Sequence, residues 1–286
     1  MNPDVQGFFD PATFTVSYIV HDPATRKAAI IDPVLDFTPR NGRTSTHSAD
    51  ALLAYAAEHR LDIVYLLETH AHADHLSAAH YLHGITGAPI VIGAQITAVQ
   101  KVFGALFEAD DVTPDGSAFD RLVGEGEMLP LGELAINILH TPGHTPACVT
   151  YVIGNAAFIG DTMFMPDYGT ARADFPGGSA EMLFRSIRKI LDLPADTRLF
   201  VGHDYLPATR SDYRWETSVA EQRRTNIHIH DGISEAEFVA MRTARDSTLE
   251  APLLILPSLQ VNIRAGAMPP PSEGGHVYLR LPINAI

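Results

Sequence analysis

Residues 69–75 read Thr-His-Ala-His-Ala-Asp-His, placing three imidazoles and a carboxylate within six positions. They follow the apolar run Ile63-Val64-Tyr65-Leu66-Leu67, which is short and β-branched at its start and therefore reads as a buried strand. The stretch behind them, Leu76 to Leu82, has a helical pattern stopped by Gly84. A tight turn between a buried strand and a helix can aim several ligands at one point, and imidazole with carboxylate suits zinc and iron. A polar turn without a metal is the alternative, and it leaves this density of ligands unexplained.

Other strands carry further ligand types at their ends. Thr13 to Val20 alternates, and Lys27 to Asp32 follows a turn cluster, so the two form a hairpin. Asp32 is either a carboxylate supporting the site or a turn-former before Pro33. His47 to Arg60 reads as a helix capped by Ser48. Pro89 to Ile92 reads as a strand, Ile96 to Phe107 as a helix and Asp110 to Asp120 as a surface loop. Glu133 to Leu139 leads into Thr-Pro-Gly-His-Thr at 141–145. Ala147 to Ile153 turns at Gly154-Asn155 into Ala156 to Gly160, which ends at Asp161. Ser179 to Leu193 is an amphipathic helix with Ser179 as its cap, and Arg198 to Gly202 is a strand ending at His203. His70, His144, Asp161 and His203 thus each follow an apolar strand or the turn after one, which argues for one composite site.

The 286 residues are 46% hydrophobic and 19% charged, which is a globular composition. A net charge of −14 with no long basic run excludes a nucleic-acid partner by expectation. The single cysteine, Cys148, permits no intrachain disulfide and points to a reducing compartment; inside an apolar strand it reads as a core residue. The first ten residues have no basic and apolar leader pattern, and no stretch has membrane-spanning length, so a soluble, cytoplasmic protein without a membrane partner is expected. From about Thr217 the sequence suggests one polar helix, Ser234 to Asp246, and a Pro-rich end. The expected organisation is a catalytic domain over 1–216 with a C-terminal extension, 217–286, packed on it.

The ordered motifs at 69–75, 141–145, Gly-Asp-Thr at 160–162 and Gly-His-Asp at 202–204 resemble those of the metallo-β-lactamase superfamily. The resemblance implies an α+β, αββα sandwich with the site on one edge. In two-metal members the positions matching His70, His72 and His144 hold one ion, Asp74, His75 and His203 hold the other, and Asp161 bridges. Gly169 to Gly178, with Arg172 and Asp174, and His203-Asp204-Tyr205 are similar to the persulfide dioxygenases. There a single Fe(II) is held by the positions matching His70, His144 and Asp161, while the second-site residues His72, Asp74, His75 and His203 persist. The tail motifs at 215–217, 226–232 and 259–264 resemble a bacterial branch of that group named as β-lactamase-like hydrolases.

That resemblance implies oxidation of glutathione persulfide by O2 to sulfite and glutathione. The alternative is a dinuclear zinc thioester hydrolase like glyoxalase II. Glutathione carries two carboxylates, so a cation is needed at the pocket. Arg172 is the leading candidate, steadied by Asp174, with Arg214 and Arg264 as further candidates. Tyr168 and Tyr205 are candidates for lining the pocket, and Asp74 and Tyr205 for catalytic roles. The remaining histidines, among them His228 and His230, read as surface or structural. An enzyme of this size often forms a homodimer.

Overall fold

The computed structural model describes residues 2–285. The first half builds one six-stranded sheet from β1 (Asp4–Phe9), β2 (Val16–His21), β3 (Lys27–Ile31), β6 (Asp62–Leu67), β8 (Ile90–Gly93) and β9 (Arg121–Val123), in that spatial order. β1, β2 and β3 are antiparallel neighbours, and β3, β6, β8 and β9 run parallel. β4 (Val34–Thr38), β5 (Arg43–Ser45) and β7 (Leu76–Ser77) make a small separate sheet. Helices α1 (His47–Glu58), α2 (Ala79–Thr86) and α3 (Ile96–Leu106) accompany this half.

The second half repeats the layering. β10 (Met128–Leu131), β11 (Leu134–His140), β12 (Val149–Ile153), β13 (Ala156–Phe158), β14 (Arg198–Phe200) and β15 (Glu216–Ser218) form the other six-stranded sheet. The helices of this half are α4 (Ala180–Leu191), α5 (Val219–Thr225), α6 (Glu235–Asp246) and α7 (Ile255–Asn262).

Strand alternation decides which side chains enter which layer. Tyr18, Val20 and Ile31 face inward and meet Ile136, Tyr151, Phe158 and Phe200 of the opposite sheet, forming a core between the sheets. Their neighbours Ile19 and Ile30 point outward and pack with Leu52 of α1, Leu82 of α2, Phe103 of α3 and Leu259 of α7. On the other outer face Ala157 and Leu199 meet Leu183 and Ile187 of α4 and Phe238 of α6. The result is helices, sheet, sheet, helices: the metallo-β-lactamase fold expected from the motifs.

Several local expectations are corrected. Leu76 and Ser77 do not begin a helix; they pair with β4 as a strand, and α2 starts at Ala79. Gly84 does not stop that helix, which runs to Thr86 and is closed by Gly87 at φ +70°. Ser48 is not a cap: its hydroxyl donates to Asp36 at 2.6 Å. Ser179 does cap α4, accepting from Met182 N–H at 3.2 Å. The tail holds three helices where the polarity pattern revealed one, and β15 crosses the expected 216/217 boundary as a strand paired with β14. No described helix is long and apolar enough to cross a membrane.

Candidate metal centre

Five strand ends supply the site. Asp32 follows β3, and the turns after β6, β11, β13 and β14 present His70, His144, Asp161 and His203. The sheets are joined at this edge by Val16 N–H donating to Gly202 O at 2.8 Å and by a bridge between Thr15 and His203. Two glycines are required by close approach. A Cβ on Gly202 would run into the Asp161 carboxylate, and one on Gly143, at φ +136°, would meet the Leu183 backbone.

His70, His144 and Asp161 each offer a ligand atom in one buried cluster. Nε2 of both imidazoles lies 3.8 Å from Asp161 Oδ2. That is within the roughly 4.2 Å span that two metal bonds of about 2.1 Å allow. Both rings are oriented from behind. His144 Nδ1 donates to the Arg172 carbonyl at 2.9 Å, which leaves Nε2 with its lone pair. The Thr69 hydroxyl donates to Asp32 Oδ2 at 2.8 Å, so its oxygen accepts from His70 Nδ1 at 3.0 Å. His70 Nε2 and Asp161 Oδ1 are buried without a hydrogen-bond partner. Burial, aided by the charge of His72 and His144, holds the His70 pKa well below its ordinary value. A neutral imidazole with an orphaned lone pair is a metal ligand in waiting, and the donor set fits a metal ion.

A second group lies alongside. Asp74, Asp161 and His203 form one cluster and His72, Asp74 and His75 another. His203 Nε2 is 3.2 Å from Asp74 Oδ2 and 3.5 Å from Asp161 Oδ1, and His75 Nε2 is buried and unpartnered. Against the effect of burial, His203 and His75 hold the Asp74 carboxyl well below the usual range. His72 directs Nε2 away, between Asp32 at 3.0 Å and Glu68 at 3.1 Å, and leaves Nδ1 unpartnered. Asp32 and Glu68 outweigh burial and raise the His72 pKa well above normal. Asp32 is thus no mere turn residue. Although its φ is +50°, its carboxylate accepts from Thr69 N–H at 2.7 Å and faces His72.

The cluster opens onto a cavity of about 400 Å³ lined by Asp74, His144, Asp161, Tyr168, Arg172 and Tyr205 among others. The Tyr205 ring stacks on His203 with centroids 5.3 Å apart and meets Tyr168 at 5.1 Å. Burial, then Asp74 and Asp161, keep the Tyr205 phenol protonated, so it can donate into the cavity. Arg172 lines the cavity but is largely engaged: Asp174 takes Nε and Nη2 at 2.5 and 2.7 Å, and the Glu250 carbonyl takes Nη1 at 2.7 Å. Asp174 stands behind Arg172 and is not among the lining residues.

Two sequence candidates lie elsewhere. Arg264 is gripped by Asp111 at 2.7 and 2.6 Å and faces a different depression beside Arg280. Arg214 borders a third depression with Arg210, and its backbone N–H donates to buried Asp204 at 2.6 Å. Neither reaches the cavity. The sequence reading missed Arg242 and Arg245, which line the cavity from α6. Arg242 is fully buried and paired with Asp246 at 2.6 Å; that i,i+4 spacing was its only sequence signal. Arg245 is exposed, and among the described residues no side chain pairs with it. Cys148 is buried against Thr145 at 3.1 Å, and burial pushes its thiol up to about 12, so it stays protonated and inert.

A family model described as the metallo-beta-lactamase superfamily matches residues 10–203. A protein named as a probable metallo-hydrolase in Burkholderia pseudomallei is 54% identical over 99% of both chains. Glyoxylase B2 of Dictyostelium discoideum is 50% identical over 98% of this chain and 97% of its own. The mitochondrial persulfide dioxygenase ETHE1 of Homo sapiens is 31% identical over 92% of this chain and 88% of its own. The crystal structure of ETHE1 from Myxococcus xanthus superposes with a TM-score of 0.74 at 29% identity, covering 92% of this chain and all of that one.

Proposed function

The chain belongs to the metallo-beta-lactamase superfamily, and from that premise we propose that it is a persulfide dioxygenase using one Fe(II) held by His70, His144 and Asp161. The reaction is glutathione persulfide plus O2 plus water, giving glutathione, sulfite and two protons. The sulfane sulfur gives up four electrons and O2 takes them. The observation that carries the reading is a two-imidazole, one-carboxylate ligand set opening on a cavity that contains a free arginine. The likeness to persulfide dioxygenases over most of the chain supports the same reaction.

His70, His144 and Asp161 would hold Fe(II), which would supply binding of a soft sulfur donor and of O2. The chain's own residues do the rest. The Arg172 carbonyl and the Thr69–Asp32 relay fix which nitrogen of each imidazole faces the site. Tyr205 offers its phenolic proton toward the cavity. Arg245 offers the unpaired charge that a glutathione carboxylate needs, while Arg172, fixed by Asp174, shapes the wall and keeps donors to spare. Asp74 and the remaining second-site residues bear on the geometry around the ion without completing its ligand set. The lone buried thiol suits a reducing cytoplasm.

A dinuclear zinc glutathione thioester hydrolase is the second reading, supported by the intact Asp74, His75 and His203 group and by the likeness to a protein named glyoxylase B2. One experiment separates the two. Protein purified anaerobically is expected to carry about one iron per chain and to consume O2 only when glutathione persulfide is supplied. Stoichiometric zinc with thioester hydrolysis and no O2 uptake would overturn the dioxygenase reading.

A further inference from the structure

We propose that Asn262, at the end of α7, is a positioning residue for the metal loop, its carboxamide setting the 72–77 turn from a point far along the chain. The amide oxygen accepts from Ser77 N–H at 2.8 Å. The amide nitrogen donates to the carbonyls of His72 and His75, each at 2.8 Å. Both N–H groups and the oxygen are therefore committed to one short turn that carries three of the ligand-type side chains. The side chain is 4% exposed, so these three bonds are sheltered from bulk solvent.

Other contacts show that α7 is packed into the core beside this turn rather than resting on the surface. Leu259, Val261 and Ile263 lie in the same core as Ala78, Ala79 and Leu82. The Ile263 carbonyl accepts from the Gln100 amide at 3.0 Å, which anchors the helix end to α3. Just beyond, Gly266 at φ +87° comes so near that a Cβ there would sit 2.8 Å from Ser77 O. Two separate points of the C-terminal segment thus bear on the same turn. Within that turn, Ser77 hydrogen-bonds Glu68, which faces His72 Nε2. Displacing Ser77 and the His72 and His75 carbonyls would move His72 against Asp32, whose carboxylate holds the Thr69 hydroxyl behind His70, and would swing the free His75 Nε2 off its present aim. Residues behind the ligands commonly change metal affinity about 10- to 100-fold.

The inference rests on the site binding a metal and not on the identity of the substrate. The test titrates the full-length apo protein with Zn(II) or Fe(II) against a competing chelator and measures Tm with and without metal. Asn262→Ala should weaken metal binding about 10- to 100-fold and shrink the metal-induced rise in Tm. Gln260→Ala is the control. Gln260 is also buried on α7, but its side chain bonds Leu256 and Arg280 and not the metal loop, so its loss should lower Tm and leave metal affinity at the wild-type value. If Asn262→Ala does not fold, Asn262→Asp keeps an acceptor for Ser77 N–H but loses both donors, and the same loss of affinity is expected. Wild-type metal affinity in the Asn262 variants, or an equal loss in Gln260→Ala, overturns the inference alone. Failure of the wild-type chain to take up metal would overturn the metal reading of the site and this inference with it.

Discussion

Asp32→Asn probes the relay behind the proposed metal ligands with the least collateral damage. The carboxylate accepts from Thr69 N–H and Thr69 Oγ1 at 2.7 and 2.8 Å and faces His72 Nε2 at 3.0 Å, all buried. Asp32→Ala would break a buried charge pair, a loss of about 3–5 kcal/mol. It would also force alanine into the left-handed region at φ +50°, about 1–2 kcal/mol more. That approaches the whole stability of a typical domain, about 5–15 kcal/mol, so alanine is expected to give little folded protein. Asparagine tolerates the left-handed backbone and keeps one oxygen for Thr69 N–H. It gives up the charge-assisted contact to His72, a loss of about 1.5–3 kcal/mol.

The assay is denaturant unfolding of the metal-free protein, with the midpoint falling and the slope unchanged. Metal affinity should fall as well, because the Thr69 hydroxyl that orients His70 loses its acceptor. The pH profile adds a check. Against burial, His72 and Thr69 depress the Asp32 carboxyl, so its contribution is present above the ordinary carboxylate range and is lost as pH falls through the depressed value. His72 is raised, so its contribution is present below the ordinary imidazole value and is lost as pH rises through the elevated one. Their attraction therefore operates between the two, and Asp32→Asn should flatten stability across that window. A variant within about 0.5 kcal/mol of wild type, with the wild-type pH profile, would refute the reasoning.

Two further outcomes concern the cavity wall and a histidine hydrogen-bonded to Thr170 of that wall. Arg245→Ala should raise the KM for glutathione persulfide about tenfold, equivalent to about 1.4 kcal/mol, with metal content unchanged; an unchanged KM would remove Arg245 from the substrate site. His228 accepts from Thr170 N–H at 3.0 Å, and burial, with Arg242 and Arg245 nearby, lowers its pKa to about 4. The unfolded chain therefore takes up a proton from about pH 6.5 downward while the folded one resists until about pH 4. Stability should fall with falling pH across that interval, and His228→Gln should lessen the slope in acid-unfolding curves; an unaltered slope would refute the assignment.

What could be read from the sequence follows from where the information lies. His70, His144, Asp161 and His203 sit next to strand ends in runs of apolar residues, so local pattern exposes the ligand-type side chains and the strands that carry them, while their roles at a metal come from the family resemblance. Arg172 stood out through the likeness of 169–178 to the persulfide dioxygenases, and its partner Asp174 is two residues away. The start of α2 was misread because Leu76 and Ser77 suit a helical face equally well, and only pairing with β4 decides otherwise. Arg245 was hidden in a helix whose own composition reads as polar, since the cavity it borders is made largely by other segments.

The tail presents the deeper case. Expected as an extension packed on the catalytic domain, it also enters that domain's construction: β15 pairs at the edge of the second sheet, and Asn262 bonds the loop that opens the whole ligand series. A carboxamide 190 residues from its acceptor leaves no periodicity and no spacing to detect. The 69–75 loop brings its ligand-type side chains together and forms no helix or ladder of its own. Its polar backbone groups then need partners from outside. The same density of histidines that announces the site thus predicts a distant polar residue to hold it, and the fold identifies that residue as Asn262.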